Sequence, residues 1–353
     1  MMTRSRSYIA TPPGATIKEQ LEDRGMSQKE FASRMGMSEK HISHLIHGDV
    51  KLTQDVAYRL EMVLGLPANF WSNLEAIYRE KIAKVEAENA LDADIELAKK
   101  LPYKEMSKYK WLPETRNVKE RVIHLRRFFE VAQLERLADN KLLPSIVYRR
   151  QSITEKADLA LIAWAQKAKL EARNIETSPI DLKELTNVLS TIRTMTTKDP
   201  QEFCPQLVTL FANCGIALVF LPHIGGSFLH GATFYDKNKI VIGLTVRGKD
   251  ADKFWFSLFH EIGHILLGHL NQEGGTNDSD EADADAFARD TLIPLDEFTK
   301  FVNKQSFTKE TISEFASKIN IDPGIVVGRL QKEGFIDFGW HNDLKTKYEI
   351  TTD

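Results

Sequence analysis

The stretch Phe254-Trp255-Phe256-Ser257-Leu258-Phe259-His260-Glu261-Ile262-Gly263-His264-Ile265-Leu266-Leu267 sets two histidines, four residues apart, inside an apolar run. The run predicts a helix over 254–267. Residues four apart on a helix lie roughly 40° apart around its axis, so His260 and His264 project from one face and can share a tetrahedral metal. Glu261 stands one step from the first of them, where a carboxylate can take a proton from water as a general base. Zn2+ suits this donor set: it lowers the pKa of a bound water towards neutrality and polarises a peptide carbonyl.

Such a metal needs a third protein ligand, and the acidic run Asp278 to Asp285 follows a short loop downstream. Glu281 is the choice of ligand. Asp285, four residues on in the same Ala-rich helix, is placed to accept the free N–H of a ligand histidine. His269 is the rival ligand, nine residues after His260. It otherwise reads as a structural or pocket-edge histidine, as does His230. Upstream, Gly215 to Leu221 and Lys239 to Leu244 are apolar runs that predict strands, and Tyr235 to Lys239 predicts a hairpin turn. A small sheet therefore precedes the histidine-bearing helix. After Pro294, Ile312, Phe315, Ala316 and Ile319 are spaced for one buried helical face.

From Thr16 to about Tyr78 the pattern is one of short helices, with Gly25, Gly36, Gly48 and Gly65 each following an apolar-periodic run as C-terminal caps do. Ser27 followed by Glu30 predicts a capping box that opens the first helix of a helix-turn-helix. Gly36 supplies the turn, and Ser38 caps a second helix from Glu39 to His47. Ile42 and Leu45 are expected to face inward. Gln28, Glu39, Lys40, Ser43, His44 and His47 are then the candidate contacts to double-stranded DNA. Residues 11–80 hold eight Lys or Arg against ten Asp or Glu, a net of −2, so binding must rest on a few placed donors and not on bulk charge. A helical bundle used for dimerisation or for docking a partner protein would explain the same balance. Between Glu80 and Asn174 the chain is rich in Ala, Leu, Glu, Lys and Arg, which predicts long helices interrupted near Pro102, Pro113 and Pro144.

The chain has 353 residues, 42% of them hydrophobic and 27% charged, a net charge of −3 and two cysteines. That length favours more than one folded unit, and the composition excludes a disordered chain. Cys204 and Cys214 are too few for a disulfide framework and point to a reducing compartment. With no apolar run long enough for a membrane span, the expected location is cytoplasmic.

Two resemblances add to this reading. The segment Ser27 to Tyr78, with Ser-Gln-Lys-Glu-Phe-Ala, Ile-Ser-His-Leu-Ile-His-Gly, Leu-Gly-Leu-Pro and Phe-Trp, resembles the XRE-type helix-turn-helix of HigA-family antitoxins. The segment Phe254 to His264, with Glu281 to Pro294, resembles the ImmA/IrrE metallopeptidases. Leu101-Pro102-Tyr103-Lys104 and Arg126-Arg127-Phe128-Phe129 are similar to the connector of regulators in which the two are fused. The resemblance implies a gluzincin-like peptidase fold whose relatives cleave a repressor under stress, and it carries His260, Glu261, His264 and Glu281 over at matching positions. At Asp283-Ala284-Asp285 the chain departs from the Glu-Ala-Asn usual in those relatives.

The fold expected is therefore mainly α with a small β-sheet, an α+β arrangement. Residues 1–80 form the helix-turn-helix domain, 81–150 a helical connector, 151–300 the metallopeptidase domain and 301–353 a helical extension. The function expected is that of an antitoxin-like DNA-binding regulator carrying a zinc-dependent endopeptidase. Its partners would be an operator, a peptide or repressor substrate, a toxin, and a second copy matched to a two-fold operator. The competing reading is a DNA-binding antitoxin or repressor whose peptidase-like domain senses a metal or ligand without catalysis.

Overall fold

The computed structural model describes residues 3–5, 8–138, 155–225, 230–246, 249–271 and 276–350. The chain divides into two compact units, Met1–Glu96 and Leu97–Asp353. The first opens with a two-stranded antiparallel ribbon, β1 (Thr3–Arg4) and β2 (Ile9–Ala10). Five helices begin in it: α1 (Gly14–Asp23), α2 (Gln28–Met35), α3 (Glu39–His47), α4 (Gln54–Leu64) and α5 (Ala68–Lys100). Ser27, Ser38 and Thr53 cap α2, α3 and α4, each accepting the backbone N–H three residues on, at 3.2, 3.2 and 3.4 Å. These caps satisfy donors that a helix start leaves orphaned. The apolar stripes of α1 to α4 and the start of α5 meet in one core built from Ile17, Phe31, Ile42, Leu45, Leu60 and Trp71.

Two details differ from the sequence reading. The capping box at Ser27 is half formed, because the Glu30 carboxylate turns along the helix to Arg34 at 2.7 Å. A full ion partner on the same face competes with a single backbone N–H. The second difference is α5, which runs on through residue 80 to Lys100. From Ala68 to Lys100 the sequence holds neither glycine nor proline, so nothing stops the helix before Pro102.

In the second unit α6 (Tyr103–Lys108), α7 (Val118–Phe129), α8 (Glu155–Ala172), α9 (Leu182–Thr194) and α10 (Pro200–Asn213) lead to the sheet. Pro144, expected to interrupt a helix, lies outside the described residues. The strands are β3 (Ile216–Phe220), β4 (Gly231–Asp236) and β5 (Lys239–Leu244), in the order β3-β5-β4. β4 and β5 form the expected antiparallel hairpin, turning at Lys237, whose φ is 58°. β3 runs parallel to β5 with Ile216 opposite Ile240. β5 is central and covered on both faces, which is why it reads as a continuous apolar run. Ile240, Ile242 and Leu244 enter the main core, while Gly243 faces buried Trp164 of α8, where a Cβ would lie 2.5 Å from the indole ring.

The main core sits between the sheet and α11 (Ala251–Leu266), which is followed by α12 (Asp278–Leu292), α13 (Leu295–Val302), α14 (Lys309–Lys318) and α15 (Pro323–Lys332). Ile312, Phe315, Val326, Leu330 and Tyr348 share this core with Trp255, Phe259 and Ile262 of α11. The residues after 300 thus help to bury α11. The chain beyond α15 is stitched to the start of α11: the Ala251 N–H donates to the Thr346 carbonyl at 3.0 Å and the Tyr348 N–H to that of Lys249 at 2.8 Å. Trp255 Nε1 donates to the Tyr348 hydroxyl at 3.1 Å, and Lys345 pairs with Asp252 at 2.8 Å, both side chains buried. No helix among the described residues is long and apolar enough to cross a membrane.

Candidate functional site

The apolar face of α11 is buried, which fixes the opposite edge carrying His260 and His264 against α12. Gly263 allows the close approach: a Cβ there would stand 3.2 Å from Ala284 Cα and from the Phe287 ring. α12 begins at a capping box in which Asn277 accepts the N–H of Ser279 and of Asp280, at 2.8 and 3.1 Å, and Asp280 accepts that of Asn277 at 2.9 Å. The box pins the first turn of α12, and with it Glu281.

One ligand atom from each of His260, His264 and Glu281 falls within a common 4.8 Å. The two Nε2 atoms are 3.0 Å apart, and Glu281 oxygens lie 3.4 Å from His260 Nε2 and 3.5 Å from His264 Nε2. Two ligands about 2.1 Å from one tetrahedral ion would be roughly 3.4 Å apart, so the two Glu281 separations match Zn2+ and the two histidine nitrogens would part by a few tenths of an ångström to take it. On their far sides, His260 Nδ1 lies 2.9 Å from Asp285 Oδ1 and His264 Nδ1 lies 2.9 Å from His269 Nδ1. His269 is outside the converging trio, behind His264.

Glu261 packs against β4, close enough to His260 and Glu281 to feel their charges. It is 5% exposed and accepts a short hydrogen bond from the buried Thr233 hydroxyl. Gly231 makes the room, since a Cβ there would lie 2.7 Å from a Glu261 carboxylate oxygen. Burial pushes Glu261 up to about 7 against the pull of His260 and Thr233. Burial also works to lower His260, but hydrogen bonds to Asp285 and Glu281 carry it up to about 10. For His264, burial and then repulsion from His260 bring it down to about 4. Burial works to raise Glu281, yet hydrogen bonds with His260 and Thr276 hold it below the usual carboxylate range. Glu281 is thus ionised and His264 neutral at cellular pH, the states in which each can donate to a metal, whereas His260 holds a proton that a metal would have to displace.

Sequence reasoning passed over Thr233, Thr276 and Asp280. Thr276 donates to Glu281 at 2.6 Å. The Asn277-x-x-Asp280 spacing was a legible signal for the cap that holds this turn. No local signal marks Thr233, which a hairpin brings to Glu261 across 28 residues.

In the first unit, Gly36 takes the left-handed conformation, φ 64°, that turns α2 into α3. Ile42 and Leu45 are buried, as the periodicity predicted. Gln28, Glu39, Lys40 and His47 are exposed, and Ser43 and His44 half-buried. His44 Nδ1 lies 3.1 Å from Asp49, and His47 Nδ1 lies 2.7 Å from the Ser43 carbonyl. These contacts orient both rings along the helix surface.

Residues 17–71 match the Helix-turn-helix family model. Over 80 residues, 23% of this chain and 81% of the relative, the sequence is 32% identical to the uncharacterized HTH-type transcriptional regulator YddM of Escherichia coli strain K12. The chain belongs to the XRE-type helix-turn-helix regulators. A second such regulator of that strain, the uncharacterized HTH-type transcriptional regulator YbaQ, is 31% identical over 75 residues, 21% of this chain and 66% of its own length. Residues 225–331 match the IrrE N-terminal-like domain, a model of peptidase family M78, and this span contains the whole trio. The protein is therefore a DNA-binding helix-turn-helix regulator that carries an M78-family domain.

Proposed function

We propose that this regulator is a zinc-dependent endopeptidase, with His260, His264 and Glu281 as metal ligands, Glu261 as general base and Asp285 orienting His260. The convergence of two imidazole nitrogens and a carboxylate within 4.8 Å, beside a buried carboxylate, carries the reading. Bound there with three protein ligands, zinc would polarise the scissile carbonyl and lower the pKa of a water at its open position. Glu261 takes the proton from the attacking water as its oxygen bonds the carbonyl carbon. The same carboxyl passes that proton to the departing amine nitrogen as the C–N bond breaks. Thr233 holds the carboxylate in place through both transfers.

The substrate class is a protein, foremost a repressor encoded beside this chain. Gln28, Glu39, Lys40, Ser43, His44 and His47 read an operator, with the chain acting as a cytoplasmic homodimer in an antitoxin-like role beside a toxin partner. The test is incubation of the full chain with co-encoded repressors, with and without a zinc chelator. Chelator-sensitive cleavage that disappears in Glu261→Gln is the expected result. The deep burial of Glu261 favours one second reading, a metal or ligand sensor without turnover. Full zinc occupancy with no cleavage of any such repressor would establish that reading in place of the first.

A further inference from the structure

We infer that His269 and Asp280 are positioning residues for the ligand His264, forming a buried chain from α12 to the face His264 presents to the metal. This rests on the metal reading above and assigns work to two residues outside the ligand set. His264 directs Nε2 at His260 and Glu281, so a metal must be bound through Nε2 and the proton must reside on Nδ1. The Nδ1–H then needs an acceptor, and the atom 2.9 Å away is His269 Nδ1. An imidazole nitrogen accepts only when its ring carries the proton on the other nitrogen. His269 Nε2 lies 3.8 Å from Asp280 Oδ1, beyond hydrogen-bond length, and there the charge of the carboxylate, acting through a sheltered interior, favours the Nε2–H form of His269.

The opposite arrangement, His269 donating through Nδ1, would place the His264 proton on Nε2 and block the metal. Asp280 thereby selects the tautomer of His269, and His269 selects that of His264. The chain is sheltered: His264, His269 and Asp280 are 1%, 7% and 8% exposed, so water competes little for these contacts. The other oxygen of Asp280 accepts the Asn277 N–H at 2.9 Å in the α12 cap, which fixes the carboxylate. The two ligand histidines are thus supported differently. His260 leans on Asp285, whose side chain is 53% exposed, and His264 on a buried imidazole.

The experiment measures zinc affinity of the full chain by competition with a chromophoric chelator, and the visible spectrum of the cobalt-substituted protein. His269→Leu, which removes the acceptor but fills the space, should weaken zinc binding by about 10- to 100-fold. His269→Gln, whose side-chain oxygen can accept from His264, should recover most of the loss. Asp280→Asn, which keeps an oxygen for the cap, should weaken binding by a smaller factor. The cobalt spectrum of His269→Leu should keep the wild-type coordination number, as a positioning role requires. Wild-type affinity in both His269→Leu and Asp280→Asn would overturn the chain, and a changed coordination number would make His269 a ligand and overturn it too. If His269→Leu does not fold, Asp280→Asn decides alone, with unchanged affinity overturning the proposal. Failure of the wild type itself to bind zinc would bring down the metal reading, and the chain with it.

Discussion

α3, the proposed DNA reader, and α11, the proposed metal helix, have 9 and 16 residues and are opposite in construction. α3 buries Ile42 and Leu45 and presents Glu39, Lys40 and His47 to solvent. α11 buries most of its length, and Glu261 and His264 are themselves buried in contact with β4, α12 and the turn after α11. The proposed recognition residues on α3 can therefore be exchanged one by one at little structural cost, since surface changes away from caps cost within about 0.5 kcal/mol. Residues around α11 form a connected set, in which removing one leaves another buried polar group unpaired.

The sharpest way to break this contrast is at the trio. Glu261→Gln is expected to cut cleavage by about 10²- to 10⁴-fold, the usual worth of a general base, while zinc content stays near that of wild type. His264→Ala should lose the zinc, as read by elemental analysis. Equal zinc in His264→Ala and wild type would remove that histidine from the ligand set. Next in size, alanine at Lys40, Ser43 and His44 together should abolish specific DNA binding in a salt-titrated gel shift, with thermal stability and zinc content nearly unchanged. Survival of specific binding would show that α3 is not the reader.

Gly243→Ala drives a Cβ into the buried Trp164 ring and should cost the second unit about 1–3 kcal/mol, measured by denaturant unfolding. Gel-shift affinity should not follow. Ser38→Ala removes the acceptor for the His41 N–H at the start of α3 and should cost about 1 kcal/mol of stability in the first unit. A loss in zinc affinity from that change would refute the independence of the two helices.

What was legible in the sequence was what short-range rules govern. The caps at Ser27 and Ser38, the turn at Gly36, the β4–β5 hairpin and the shared face of His260 and His264 all follow from spacing within a few residues. Glu281 was reachable because it opens a capped helix just downstream. The approach of Thr233 to Glu261, the room left by Gly231, and the use of His269 as the support of His264 depend on how distant segments pack, which no local pattern encodes. The length of α5 was hidden for a different reason. Its apolar residues follow no single face along its length, so its extent shows only in the lack of a breaker.

The tail that binds Lys345, Thr346 and Tyr348 to the start of α11 sets an order of assembly during synthesis. A ribosome that has released residues 1–96 has already supplied every side chain of the first core. The second core cannot close until Tyr348, nearly a hundred residues after Trp255, has left the exit tunnel. Vectorial folding proceeds unit by unit from the N terminus. Each nascent chain can therefore close its helix-turn-helix core before α11 is fully enclosed, so the unit that belongs to the regulator family is complete ahead of the unit that carries the trio.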